Sequence, residues 1–292
     1  MPIISGLTIY PIKSCAGISV SRAMVTATGL SVASLHDREW MLVDFDGMFL
    51  TQREFPRMAS IRPTIEGTQL VVHAPGMAAH SIDIMRTGAT PASSLPVQIW
   101  EETVSAIDSG EASAAWFSAA LGVACKLVRF LDPAKRAANP KWTSGHIASP
   151  VTTRFSDGFP FVLISQASLD DLNQRCTAQG RTAVPMNRFR PNIVIDGVEA
   201  FEEDYAASFS IEQAAPLETI CLAPVKPCPR CPIPAVDQST GEVGPNPVEV
   251  LQSYRANPLV DGGICFGMNT IVTHGAGQYL ALGDTVQLHL AF

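Results

Sequence analysis

The chain has 292 residues, 47% hydrophobic and 16% charged, enough apolar side chains for a sizeable core and too many for a disordered or low-complexity protein. Its net charge of −7 is opposite in sign to that of a general nucleic-acid binder, so an anionic ligand has to be held by a local basic cluster. No basic, apolar leader opens the chain, no run of roughly 18 apolar residues suggests a membrane span, and the cysteines look scattered except for Cys228 and Cys231. An odd count of seven fits reduced thiols better than a secreted disulfide framework, so a cytoplasmic protein is expected, with neither nucleic acid nor membrane as partner.

The first ~100 residues read as mostly strands. Ile3 to Ile12 is an apolar run ending at Pro11-Ile12-Lys13. Trp40 to Phe45 and Met48 to Thr51 flank Asp46-Gly47, a hairpin signal; Ile61 to Ile65 and Gln69 to His73 flank Glu66-Gly67, a second. Ala112 to Leu121 is the first predicted helix, with Trp116, Ala119, Ala120 and Val123 at helical spacing and Gly122 as its stop. Lys126 to Phe130 is strand-like. Residues 132–155 are rich in Pro, Asn, Ser, Thr and Gly and read as a linker or mobile loop, or as an ordered surface loop. Phe161 to Ile164 is a short buried strand. Ser165 or Ser168 then caps a helix with Leu169, Leu172 and Cys176 on one face and Gly180 at its end. Asn192 to Asp196 is a strand, Asn246-Pro247 starts a short helix carrying Val248, Leu251 and Tyr254, and Thr285 to Phe292 alternates as a last strand with His289 outward. Strands dominate without a βαβ alternation. The expected class is therefore α+β, mostly β and barrel-rich, not a doubly wound parallel sheet. Length allows one large domain or two intimate ones.

The densest chemical signal is Lys226-Pro227-Cys228-Pro229-Arg230-Cys231-Pro232-Ile233-Pro234, followed by Asp237 and Gly241. Four prolines make a stiff, poorly helical segment that can present a thiol in fixed geometry. Arg230 beside Cys231 favours the thiolate, the form that binds metals and attacks electrophiles. Half a zinc site, a redox disulfide, a single thiolate ligating a soft or high-valent metal, and a merely structural pair all fit this spacing.

Arg188-Phe189-Arg190-Pro191-Asn192 leads into a strand. With Pro191 expected to hold Arg190 extended, the guanidinium and the Asn192 amide suit an anion and a heterocycle edge, though an exposed ion pair at a strand entry has the same pattern. In Tyr10-Pro11-Ile12-Lys13-Ser14-Cys15-Ala16-Gly17, Lys13, Ser14 and turn amides make a serviceable phosphate site that lacks the Walker spacing. Asp37-Arg38-Glu39-Trp40 adds another arginine before a strand. The six histidines form no metal-spaced pair, and no Gly-x-Ser-x-Gly elbow occurs. Asp170-Asp171 fall in a helix first turn and suit the helix dipole rather than catalysis.

Together these segments resemble the MOSC family along nearly the whole chain. Residues 10–17, 37–40 and Thr51-Gln52-Arg53-Glu54-Phe55-Pro56-Arg57 are similar to the β-barrel domain that precedes MOSC in the amidoxime-reducing proteins of mitochondria and their bacterial relatives. Phe155-Ser156-Asp157-Gly158-Phe159-Pro160, residues 189–195, residues 226–231 and Leu282-Gly283-Asp284-Thr285-Val286 are similar to MOSC itself. The resemblance implies an N-terminal MOSC β-barrel domain over 1–131 and a MOSC domain over 132–292. It implies molybdenum-molybdopterin as cofactor, with Cys231 as metal ligand and catalytic residue. It further implies that Lys13, Ser14 and Arg38 hold the cofactor phosphate, that Arg190 and Asn192 meet the pterin, and that Asp157, Gly158 and Arg230 line the same site.

The implied activity is reduction of N-hydroxylated small molecules such as amidoximes, hydroxylamines and N-hydroxylated bases. The alternative is a cofactor or sulfur carrier without turnover; a third possibility is a metal-free module with structural cysteines. The chain has no four-Cys iron–sulfur cluster, so a separate electron-transfer protein is the expected partner. It departs from the family pattern after the cysteine, where Pro232-Ile233-Pro234-Ala235-Val236-Asp237 replaces the usual Thr-Thr-Val-Asp and changes the local wall.

Overall fold

Strands end where turn chemistry stops them. In the computed structural model, which describes residues 1–85, 94–131, 136–213 and 217–291, the strand Trp40–Val43 ends two residues before the expected Phe45. Asp44 Oδ1 accepts from the amides of Asp46 at 2.9 Å and Met48 at 2.8 Å, closing the turn early. The second expected hairpin is present as Arg62–Glu66 against Gln69–His73, antiparallel, with Glu66 opposite Gln69 and Gly67 at φ +60°.

The first helix, Glu111–Leu121, ends at Gly122 in the left-handed region, φ +73°. Its buried face is Ser113, Phe117 and Leu121; Trp116, Ala120 and Val123 pack beside it, and Ala119 is exposed, unlike its expected place on the apolar stripe. The stripe is rotated because Phe117, the largest apolar residue that can be fully buried here, takes its centre. Helix Gln166–Ala178 is capped by Ser165, whose Oγ accepts from the Ser168 amide at 3.1 Å, and it buries Leu169, Leu172 and Cys176 as expected.

Among the described residues the largest sheet has nine strands, with Ala256–Asn257 branching from Gly263–His274. Its main path runs Ile18–Ser19, Ile3–Ile9, Ile193–Asp196, Phe161–Ser165, Gly263–His274, Ile220–Pro229, Ala206–Ile211 and Gln287–Leu290. All of these neighbours are antiparallel except Phe161–Ser165 with Ile193–Asp196. A four-stranded sheet joins Ser94–Ile99, Glu102–Asp108, Lys126–Phe130 and Trp40–Val43. The class is α+β, mostly β.

The amino-terminal strand therefore lies inside the sheet of the carboxy-terminal half. Reciprocally, Tyr279–Ala281 pairs with Arg22–Thr26. One buried cluster runs through both halves, from Ile4, Leu30 and Trp40 to Phe161, Leu222 and Val286. The expected division at 131/132 abuts residues 132–135, outside the described residues. From 136 onward the supposed linker is structured: Arg136–Ala137 pairs with Thr152–Thr153, Pro140–Thr143 is a helical turn, and Arg136 is buried at 3% exposure. The last strand is Gln287–Leu290, with His289 exposed as expected and Phe292 outside the described residues.

Candidate functional site

Prolines shape the strand that delivers the thiol. Ile220–Pro229 pairs with Gly263–His274, but its register slips between Pro224 and Lys226 and again between Pro227 and Pro229. Proline lacks the ladder N–H, so pairing there gives way to bulges. Pairing ends at Pro229 opposite Cys265, and Arg230 N donates to Ile264 O at 2.8 Å. Cys231 follows at once, half-buried, before the turn Ile233–Ala235. The Arg230 guanidinium fastens the loop from below: Nε donates to Phe266 O at 2.8 Å and Nη1 to Phe189 O at 2.8 Å.

This loop forms one wall of a cleft of about 380 Å³, within the size range of small-ligand pockets. All nine expected site residues line it: Lys13, Ser14, Arg38, Asp157, Gly158, Arg190, Asn192, Arg230 and Cys231. Arg53, Arg188 and Lys226 line it too, so seven cationic side chains face a single carboxylate, Asp157, in a protein of net charge −7. The local basic cluster required for an anionic ligand is here, assembled from five separated stretches of sequence.

Four lining residues, Ser14, Arg38, Trp100 and Arg190, hold left-handed backbone at φ +66°, +47°, +55° and +54°. Such conformations persist in non-glycine residues only where the surroundings impose them. Arg190 was expected to be extended and is not. The short 3₁₀ helix Met186–Phe189 closes on it through Arg190 N to Asn187 O at 3.2 Å. A turn is then required, and the following proline disfavours its right-handed form.

Under the arginines lies a buried polar hub. Asp37 is fully buried; its Oδ1 accepts from Tyr10 N at 2.8 Å and Asn192 Nδ2 at 3.0 Å, and its Oδ2 from Arg38 Nη1 at 2.5 Å. Burial pushes the Asp37 carboxyl up, while Arg38 and these hydrogen bonds pull it back toward ionisation. The Asn192 amide is spent inside the protein: Nδ2 donates to Thr8 O and Asp37, and Oδ1 accepts from Arg38 at 3.0 Å and Val162 N at 3.2 Å. Its place is to aim Arg38 rather than to offer a free edge to a ligand. Arg38 and Arg190 both rest on the Tyr10 ring, at 4.4 and 4.2 Å from its centroid.

Lys13 is buried. Its Nζ donates to Phe155 O at 2.9 Å and pairs with Asp157 at 2.5 Å. Burial lowers the Lys13 ammonium to about 8, against the opposing pull of Asp157. Burial would raise Asp157, but Lys13 and then Arg53 hold it well below the usual carboxylate range. Arg136 secures this loop, donating to the carbonyls of Ser156 and of Asp157, the latter at 2.9 Å. Gln52 and Gln238 join the two walls: Gln52 Nε2 donates to Ser14 O at 2.6 Å, and Arg190 Nη1 reaches Gln238 Oε1 at 3.3 Å.

Several of these residues escaped sequence reasoning. Asp37, Arg136, Gln52 and Gln238 are buried polar residues from separate stretches, and no local signal ties them to a ligand. Arg188, noted beside Arg190, is bound to Asp237 at 2.9 Å and to Ala235 O at 3.0 Å, so it steadies the loop after Cys231.

A ligand that fits must supply acceptors. Arg190 Nη2 is buried without a hydrogen-bond partner, and an unpaired buried donor is costly. The described residues gather no cluster of three or more His, Cys, Asp or Glu side chains, so a closed four-ligand zinc site is not built around the two cysteines. Both are free, half-buried thiols that line the cleft, and burial pushes the Cys228 thiol up. Thiolate plus cations suits a soft metal carried on an anionic organic ligand.

Fold and cleft thus define a mostly-β protein that places free thiols in a cleft lined by cationic side chains. Residues 1–124 match the model of the MOSC N-terminal beta barrel domain and residues 150–287 that of the MOSC domain. The chain belongs to the MOSC family. It is 35% identical over 255 residues to mitochondrial amidoxime reducing component 2 of Rattus norvegicus, covering 86% of this chain and 72% of that protein. It is 33% identical to mitochondrial amidoxime-reducing component 1 of Homo sapiens over the same shares. It is 28% identical to molybdenum cofactor sulfurase of Bos taurus, over 97% of this chain and 32% of the bovine protein.

Proposed function

We propose that the protein holds a molybdenum-molybdopterin cofactor in this cleft and reduces N-hydroxylated small molecules, taking electrons from a separate electron-transfer protein. The observation that carries the reading is the meeting of Cys231 with seven cationic side chains and the unpartnered Arg190 Nη2 in one cleft. The names of the relatives that span most of the chain support it.

Cys231 would ligate the metal from its proline-stiffened loop. Lys13, Ser14 and Arg38 would hold the phosphate, with Asn192 and Asp37 aiming Arg38. Arg190 would donate to the pterin edge, Asp157 and Gly158 would line the same pocket, and Arg230 would keep the Cys231 loop in place. The bound cofactor supplies two-electron chemistry: R–NH–OH, two electrons and two protons give R–NH2 and water. The chain's part is to fix the thiolate, neutralise the cofactor's charge and leave room for the N–OH group.

Metal and pterin measured in protein from a cofactor-competent host should be near stoichiometric, and Cys231→Ser should lose the molybdenum. Loaded wild-type protein should reduce a hydroxylamine with a dithionite-reduced dye. Metal-free, properly folded wild-type protein would refute the reading. A second reading, a cofactor or sulfur carrier, is favoured by the sulfurase relative matching 97% of the chain. It predicts full loading without turnover.

A further inference from the structure

The hairpin joining Ser94–Ile99 to Glu102–Asp108 breaks the usual turn rule. Ile99 pairs with Glu102, leaving Trp100 and Glu101 as a two-residue turn. The first residue of such a turn takes positive φ and is normally Gly, Asn or Asp. Here it is tryptophan, at φ +55°. A bulky side chain in left-handed backbone is an outlier, and outliers of this kind gather at functional sites.

The strained residue lies on the cleft. Trp100 lines the same pocket as Cys231 yet remains 40% exposed. Its position is enforced from several sides. Phe49 packs on the indole with ring centroids 5.0 Å apart, and the Arg53 guanidinium lies 4.6 Å from its centroid. Gln98 Nε2 donates to its carbonyl at 3.0 Å. Glu102, at the foot of the turn, accepts from Arg136 Nη2 at 2.8 Å, and Arg136 in turn holds the Asp157 loop. The turn is thus tied to the loop that positions Lys13.

A merely structural turn residue would be buried or would relax toward Gly or Asn. A half-exposed indole held at the mouth of a ligand cleft offers a flat π-surface at little entropic cost. We propose that Trp100 is a specificity-determining stacking wall that selects N–OH substrates carrying a planar aromatic or heteroaromatic ring. The reduction itself rests on the function proposed above; the stacking rests on the cleft alone.

Trp100→Asn tolerates the left-handed turn while removing the indole, and Trp100→Phe keeps an aromatic face; thermal melting checks that both fold. In cofactor-loaded protein, the kcat/KM ratio of benzamidoxime over hydroxylamine should fall about tenfold or more in Trp100→Asn, the loss of about 1.4 kcal/mol of stacking, and be largely restored in Trp100→Phe. An unchanged ratio in folded Trp100→Asn overturns the proposal. Binding is read independently by titrating benzamidoxime and following tryptophan fluorescence. Quenching in the wild type that is lost in Trp100→Asn supports the stacking wall even if no substrate is turned over, in which case only the reductase reading fails. Quenching that persists in Trp100→Asn, or is absent from the wild type, overturns the stacking wall.

Discussion

Lys13 shows what burial does to a binding residue. Its ammonium, lowered to about 8 by desolvation and partly restored by Asp157, is charged at neutral pH and loses its proton within one or two pH units above it. A bound anion favours the protonated form, so anion binding takes up a proton above pH 8 and weakens as pH rises. Sulfate, whose own charge is constant, is the clean probe. Its affinity for cofactor-free protein, followed by calorimetry, should fall by up to roughly tenfold between pH 7 and 9, and Lys13→Gln should flatten that profile. The same shift acts on stability. Because the folded-state value lies below the ordinary 10.5, Lys13 opposes folding most below pH 8, and that cost fades as pH rises through 8 to 10.5. Lys13, Ser14 and Arg190 stood out in the sequence beside prolines and a turn and Arg38 before a strand, and the family resemblance gave them their implied roles. Asp37 could not be ranked above any other acid next to an arginine, because its importance comes from Tyr10 and Asn192, which reach it from 27 and 155 residues away.

At the scale of elements, the Cys231 loop depends on the strand that faces it. Gly267 sits in Gly263–His274 at φ +75°, and a Cβ there would come within 2.5 Å of Ile164 Cγ1 and 2.7 Å of Leu163 O. Only glycine satisfies both the backbone angle and the close approach. The Phe266 carbonyl before it is the acceptor for Arg230. Gly267→Ala should therefore destabilise the fold by about 2 kcal/mol or more, seen in urea melts, and loosen the thiol loop, seen as faster alkylation of Cys231. Turns and helix caps were legible because Asp46-Gly47, Glu66-Gly67, Gly122 and Ser165 act on their immediate neighbours, but the strand expected at Met48 to Thr51 is reduced to isolated bridges at Met48 and Phe49. The face of the first helix was misjudged because Phe117 and Trp116 compete for the core, and tertiary packing settles that competition. The turn at Trp100 was not legible at all, since its sequence violates the local rule that would have marked it.

At the scale of the whole molecule, the two family-matched segments share sheets and a core. A fragment of residues 132–292 lacks Ile3–Ile9, which lies between Ile18–Ser19 and Ile193–Asp196 in the nine-stranded sheet, and lacks Arg22–Thr26, the partner of Tyr279–Ala281. It exposes an unpaired interior strand edge and loses most of the buried residues of the common core. Such a fragment should show no cooperative thermal transition by circular dichroism, whereas the full chain melts cooperatively. The sequence by itself determined the mostly-β class and most turn and cap positions, because these follow from backbone preferences acting over a few residues, and it offered candidate residues for an anion and a thiol site. Tertiary structure alone decided that nine residues from five separate stretches meet in one cleft, that Asn192 is spent aiming Arg38, that Arg190 turns left-handed and that the first strand belongs to the second half's sheet. Those outcomes depend on long-range strand pairing and burial, whose energies are set by partners far away in the chain.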